Sequence, residues 1–348
     1  MTSLSVTRDS APPDSWRSYV SGRGLFYHDP RWLAAISAQF RYRVHCLTAL
    51  TDGVTVGILP LAEVPGLLGP RRLVSLPFGY AAGPLADTDT ASERLCDSAR
   101  RIALERGIRR LEIKRRDPAA ACLEGFERSG HYATYVVATD GGADAVWDRL
   151  HADSTRRGIR KAERSAVAAA QEDSEESWRL MARLQQQTAA RLGLPAPPSS
   201  FFVQTCRQLQ HDGLADLFLA RRADGRAIAG VVVWKGPREW IYAFGASERQ
   251  HLSLRPVHAV LWLALRTAAE AGVAFDLGRA APEQQGLVQF KLRWGGEPLP
   301  LAYDYWPKAA GLNTVARDRG LLALGGRLWS RIPWRITARG SWLYRYLG

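Results

Sequence analysis

Two residues between Phe275 and Gly296 are of a type and spacing that could do chemistry together: Asp276 and Lys291. Phe275-Asp276-Leu277-Gly278-Arg279 is a short apolar run carrying one carboxylate, and it follows Ala271-Gly272. That order reads as a strand after a glycine-capped helix. A polar loop, Ala280 to Gln285, leads to a second apolar segment in which Gln289, Phe290, Lys291 and Trp294 precede the Gly295-Gly296 break. A carboxylate can hold an ammonium or take its proton, and a lysine in an apolar setting can stabilise developing negative charge. The same residues also describe a solvated strand end with a surface lysine, and pattern does not separate the two readings.

A second concentration of chemistry is cationic. Arg156, Arg157, Arg160, Lys161 and Arg164 stand close together with Glu163 as the one acid among them. Arg156, Arg160 and Arg164 recur at i, i+4 and i+8, so on a helix they form one basic stripe. Like charges at that spacing oppose helix formation, which makes the stripe a candidate phosphate contact as well as a solvated face.

The elements that must position these residues follow from length and repetition. The chain has 348 residues, of which 46% are hydrophobic, enough for two globular domains of about 150–175 residues. It carries 47 Lys and Arg against 34 Asp and Glu, a net charge of +13. That field favours polyanionic partners such as nucleic acid, an anionic membrane surface or a phosphorylated substrate. The four cysteines, Cys46, Cys96, Cys122 and Cys206, are scattered and make neither a disulfide framework nor a zinc site; no metal is expected. With no membrane-length apolar run and no apolar signal core, the expected location is the cytoplasm.

Landmarks recur in order. Leu47 to Gly53 followed by Gly57 to Leu61 matches Leu217 to Gly225 followed by Gly230 to Trp234. Phe78-Gly79 matches Phe244-Gly245, and Ala103 to Ile113 matches Ala268 to Leu277. The near-constant offset predicts two copies of one α/β unit: hairpin, helix, strand. The expected boundaries are 1–146 and 147–308, with a basic tail at 309–348 that contains Trp329, Trp334 and Trp342.

In this order, the basic Arg-Arg-x-Ile-Arg-Lys-Ala segment, the Asp-Gly hairpin, Phe275-Asp276-x-Gly278-Arg279 and Phe290-Lys291-x-x-Trp294-Gly295 resemble the FemAB/FemX family of aminoacyl transferases and their GNAT-like relatives. His28-Asp29-Pro30-Arg31-Trp32 and Ser75-Leu76-Pro77-Phe78 resemble the first domain of that family. The resemblance implies an α/β (α+β) fold of two tandem GNAT-like domains, each a mixed sheet flanked by helices. It implies transfer of an aminoacyl group from aminoacyl-tRNA to an amine, without a cofactor or metal. It also implies that Phe290 and Lys291 line the catalytic site, with the lysine stabilising the tetrahedral transition state.

The expected chemistry is direct aminolysis, because no Gly-x-Ser-x-Gly elbow or Cys-His catalytic signature is present. Asp276 is the candidate for holding the acceptor amine. Tyr242, Phe244, Arg279, Gln289, Trp294, Tyr303, Phe78 and Tyr80 are the candidate substrate contacts. The alternative donor is acyl-CoA, whose diphosphate sits on backbone N–H groups at a glycine-rich helix start. Here that turn, Arg249 to Pro256, has no glycine, although Arg249 and Arg255 could bind phosphate by side chain. A basic RNA-binding module with a decayed site is the non-enzymatic alternative. For the tail, three readings stand: a helix packed on the second domain, a peripheral membrane contact, or a further nucleic-acid contact.

Overall fold

The computed structural model describes residues 3–67, 69–119, 122–308, 329 and 332–348. These form two compact units: the first takes residues up to 133, 300–308 and 345–348, the second 134–299 and 332–344 with 329. The strands, in chain order, are β1 Leu4–Asp9, β2 Arg43–Thr51, β3 Val54–Val64, β4 Arg72–Val74, β5 Leu85–Ala86, β6 Leu111–Arg115 and β7 Glu127–Ser129. They continue as β8 Ala133–Val137, β9 Ala168–Glu172, β10 Ala215–Arg221, β11 Ala227–Lys235, β12 Glu239–Ser247, β13 Ala274–Ala280, β14 Glu297–Pro300 and β15 Ala302–Trp306. The α-helices are α1 Ser15–Val20, α2 Pro30–Phe40, α3 Asp89–Glu105, α4 Gly142–Arg149, α5 Arg157–Arg164, α6 Glu175–Arg191, α7 Arg207–His211, α8 Pro256–Glu270, α9 Gln285–Arg293 and α10 Trp334–Thr337.

The duplication is visible element by element. In the first unit β1 to β4 pair antiparallel in sequence order, α3 crosses, and β6 returns parallel to β4. In the second, β9 to β12 do the same, α8 crosses, and β13 returns parallel to β12. Asp52 (φ 50°) and Gly53 (φ 80°) turn the β2–β3 hairpin, a left-handed pair that matches the twist of the strands it joins. Thr88 caps α3 by accepting from the Ala91 N–H, and the apolar face of that helix, Leu95, Cys96, Ala99 and Ile102, closes over Leu47, Leu59, Leu61, Leu111 and Ile113. The one landmark that does not match is Phe78-Gly79. Phe244 lies inside β12, whereas β4 stops at Val74, where Leu76 (φ 61°) and Pro77 cannot continue a ladder.

Each sheet is finished by a strand from the other half of the sequence. The first runs β1-β2-β3-β4-β6-β15-β7, with β5 on β3, and the second runs β14-β8-β13-β12-β11-β10-β9. The chain therefore leaves the first unit at 133/134 and re-enters it at 299/300, not at the 146/147 and 308/309 boundaries expected from the repeat. Burial of charge explains why β15 belongs to the first sheet. Asp304 on β15 is fully buried, with Arg115 of β6 at 2.9 Å and the Arg128 guanidinium of β7 on both its oxygens at 2.7 and 2.9 Å.

The cysteines are free, three of them buried. Among the described residues no His, Cys, Asp and Glu side chains are grouped to hold a metal, and no helix is long and apolar enough to cross a membrane. Most of the tail, 309–328, 330 and 331, lies outside the described residues. Within them α10 packs on α6, and residues Ala338–Tyr346 form a 3-10 helix.

Removing one partner of a buried ion pair leaves charge uncompensated, a loss of about 3–5 kcal/mol. Asp304→Ala is expected to lower stability by that amount in urea unfolding, through a transition assigned to the first unit; a variant as stable as the parent would show that β15 is held by its apolar side chains alone.

Candidate functional site

The second unit contains a place where two neighbouring strands part. β12 and β13 pair in parallel at Glu239–Ala274, Trp240–Phe275 and Ile241–Asp276, and the ladder ends there although β12 runs on to Ser247 and β13 to Ala280. Two local features drive them apart. On β12, Ala243 is an extra residue, since Val233 faces Tyr242 and Val232 faces Phe244; such a bulge bends its strand. On β13, Gly278 adopts φ 79°, which a residue with a side chain rarely takes. Beyond Ile241 the edge of β12 that faced β13 is left with backbone groups that the ladder does not claim.

Side chains shape this wedge. Phe244 packs edge-on against Phe201, Phe202 and Trp234, with ring centroids 5.9, 5.3 and 6.0 Å away. The Tyr242 hydroxyl lies in the space that a Cβ on Gly245 would fill, so the glycine is what admits it. Burial pushes that phenol up to about 12, so it stays protonated.

Lys291 and Asp276 lie together beneath the turned end of β13. Lys291 is only 3% exposed and donates from Nζ to three successive carbonyls, Leu277 at 2.7 Å, Gly278 at 2.5 Å and Arg279 at 2.9 Å. An ammonium has three protons, and all three are engaged. Burial lowers its pKa to about 8, opposed by the Asp276 carboxylate and helped by Arg279. Asp276 is fully buried, and its Oδ1 accepts from Thr134 Oγ1 at 2.5 Å and from the Gly278 N–H at 2.7 Å. The acid thus holds the amide of the left-handed glycine while the lysine holds the carbonyls around it. The expected base and oxyanion donor are both inside the protein, bracing backbone. Thr134 completes the brace; nothing in the local sequence around Asp276 points to it, because it comes from β8.

The remaining candidates divide by burial. Arg279 and Gln289 are exposed and Phe290 is half-buried, its ring 6.0 Å from Trp294. Trp294 is 1% exposed and stacks near His258 at 5.8 Å, so it packs α9 onto α8. Phe78, Tyr80 and Tyr303 belong to the first unit. There the Tyr303 hydroxyl donates to the Tyr80 carbonyl at 3.0 Å, and Phe78 packs on Phe40. Tyr80 and Tyr303 are core residues of that unit.

The α8 N-terminus and the basic helix α5 meet beside the wedge. β12 leads through a 3-10 turn, Arg249–Leu254, and left-handed Arg255 into α8. Pro256 has no N–H, and the His258 N–H is donated to the Arg255 carbonyl, so two of the first three amides of α8 are withheld from a diphosphate. Gly158 lets α5 approach this first turn: a Cβ there would run into the His258 ring. Burial, with Arg255 adding to it, lowers His258 to about 4 and keeps it neutral.

Outward from that contact, Arg157, Arg160, Lys161 and Arg164 are exposed. Arg160 lies over the Trp147 ring at 5.6 Å, and Arg156 reaches exposed Asp148 at 3.7 Å. Arg157, Lys161 and Arg164 form no ion pair among the described residues. Arg249 and Arg255 are exposed as well.

Residues 149–292 match the family model of the acetyltransferase (GNAT) domain, a span that takes in α5, the parting strands and Lys291. No curated protein matches the chain in sequence. Among solved structures the chain resembles FemX at 16% identity, with a TM-score of 0.67 over 86% of this chain and 96% of that one. It resembles L-PGS from Bacillus licheniformis at 16% identity, with a TM-score of 0.59 over 93% and 98%. It resembles a tandem GNAT protein from the clavulanic acid biosynthesis pathway at 14% identity, with a TM-score of 0.51 over 87% and 98%. The fold is that of tandem GNAT-like units, as the sequence led us to expect, and residues 149–292 form a domain of the GNAT acyltransferase type.

The brace makes a prediction with a definite sign. Burial lowers the Lys291 pKa from the ordinary lysine value of 10.5 to about 8, so between those values the unfolded chain binds more protons and the lysine's contribution to stability rises with pH. Below pH about 8 both states are charged and the full burial penalty stands. The stability of the parent relative to Lys291→Met is expected to increase from pH 8 to 10.5 in denaturant titrations, and a difference flat with pH would contradict the burial described here.

Proposed function

We propose that this chain, a GNAT-type acyltransferase of FemX-like fold, moves an aminoacyl group from aminoacyl-tRNA to an amine acceptor. The observation that carries this reading is the unpaired basic face of α5, seated through Gly158 on the first turn of α8 at the mouth of the β12–β13 wedge. A row of exposed cations beside an acyl site suits a donor whose acyl ester hangs from a long phosphodiester chain. The withheld amides at the start of α8 weigh against acyl-CoA. The likeness to FemX and to L-PGS supports the same donor.

In this reading the acceptor nitrogen attacks the ester carbonyl carbon, a C–N bond forms, and the C–O bond to the terminal ribose breaks. The carbonyl oxygen, negative in the tetrahedral state, lies against the unclaimed amides of β12 beyond Ile241. Phe244 and Tyr242 form the apolar wall, and Arg279 stands at the rim. Asp276 is too deep to act as base, so the attacking amine passes its proton to the departing ribose oxygen, and no residue of the chain becomes acylated. Lys291 acts by position: it fixes β13 and so the width of the wedge. The peptide or amide product and free tRNA then leave by the same mouth.

Acyl-CoA is the second reading, favoured by the match to the acetyltransferase model itself. Purified protein offered bulk tRNA charged with labelled amino acids, together with a cell extract of small molecules, is expected to move label from intact tRNA into an RNase-resistant amide. Product formed from acetyl-CoA alone would establish the second reading instead. With the donor confirmed, changing Arg157, Lys161 and Arg164 together to Gln is expected to weaken tRNA binding about tenfold or more and to flatten its log–log salt slope by roughly two to three. The rate at saturating tRNA is expected to change little, and an unaltered salt slope would return α5 to a solvated face.

A further inference from the structure

Residues 332–348 contain Arg335, Arg339 and Arg345 and no Asp or Glu. Large apolar side chains in the same span face water: Ile332 is 38% exposed, Ile336 57% and Trp342 57%. Arg335 and Arg339 are exposed between them. Ile336 lies in α10, and Arg339 and Trp342 follow it in the 3-10 helix, where their i, i+3 spacing puts them one turn apart. The reverse side of the segment is docked. Thr337 is 6% exposed and donates to the Trp334 carbonyl, and α10 packs on α6. The exposed side chains are therefore presented by a packed element.

We propose that this segment rests on an anionic membrane surface. Ile332, Ile336 and Trp342 would enter the boundary between headgroups and acyl chains, and Arg335 and Arg339 would meet lipid phosphates. The composition singles out that partner. Exposed isoleucine and tryptophan with arginine among them and no acid within the segment is the composition of an element lying in the interface of anionic lipid. A nucleic acid would use the arginines and Trp342 but gains nothing from the two isoleucines, which neither stack on bases nor hydrogen-bond. The proposal does not depend on which acyl donor the enzyme uses, and its consequence is that acceptors presented at a membrane come within reach.

The test mixes the full chain with extruded vesicles of phosphatidylcholine alone or with phosphatidylglycerol added, and measures the sedimented fraction against salt. Binding is expected on the anionic vesicles, and Ile336→Ser with Trp342→Ser is expected to weaken it about tenfold without shifting the melting temperature. Arg335→Gln with Arg339→Gln is expected to weaken it too and to remove part of its salt dependence. Should the Ser variant melt early, Ile336→Ser alone serves, since that side chain is more than half exposed. Failure to sediment, or equal sedimentation with neutral vesicles, would overturn the proposal. So would full binding by the Ser variant, which would reduce the effect to the adsorption of a +13 protein. Loss of tRNA binding rather than vesicle binding in these variants would make the segment a nucleic-acid contact instead.

Discussion

The second unit depends on one buried electrostatic arrangement, an ammonium and a carboxylate that grip opposite sides of a single left-handed glycine. β13 leaves β12 beyond Ile241, and a strand that leaves its ladder exposes carbonyls and amides that water cannot reach. Lys291 takes the three carbonyls and Asp276 takes the Gly278 amide, so the parted strand end is nearly as well hydrogen-bonded as a paired one. The two charges also compensate each other within a dry interior, where either alone would be costly. The lowered lysine pKa records what remains of that cost.

The first unit solves the same problem with different residues. Its parallel ladder ends at Val74–Glu112, the equivalent of Ile241–Asp276. Beyond it, Lys114 donates from a buried ammonium to the Leu76 and Gly79 carbonyls at 3.1 and 3.0 Å, while its Nζ stands 3.8 Å from Glu112. Acid and lysine recur at the point where the strands part, but here the lysine is on the strand and in the second unit it is on the following helix. A duplicated fold has kept the physical requirement while moving the side chain that meets it.

Charge is distributed by task. The buried acids of the first unit are held in ion pairs, Glu63 with His45, Arg71 and Arg106, and Asp304 with Arg115 and Arg128. The excess of arginine is left for surfaces, among them the outer face of α5 and the 332–348 segment. The net charge of +13 therefore appears as local basic faces with distinct neighbours: one on a helix packed against the start of α8, the other mixed with aliphatic and indole side chains.

Local and periodic features were legible in the sequence alone. The repeat, the Asp-Gly hairpins, the glycine-capped helices, the strand carrying Asp276 and the basic helix depend on neighbours within a few residues, and such contacts leave a pattern in the chain. The likeness of motif order was enough to anticipate two tandem units. Tertiary structure alone decided which strand completes which sheet, because β8 and β15 are short apolar runs whose partners lie far away in sequence. It also decided what Lys291 and Asp276 do. Their types announced a charged pair, but whether an ammonium faces a substrate or three carbonyls is set by the direction of a helix that follows a turned strand, and by Thr134 arriving from the other end of the sheet.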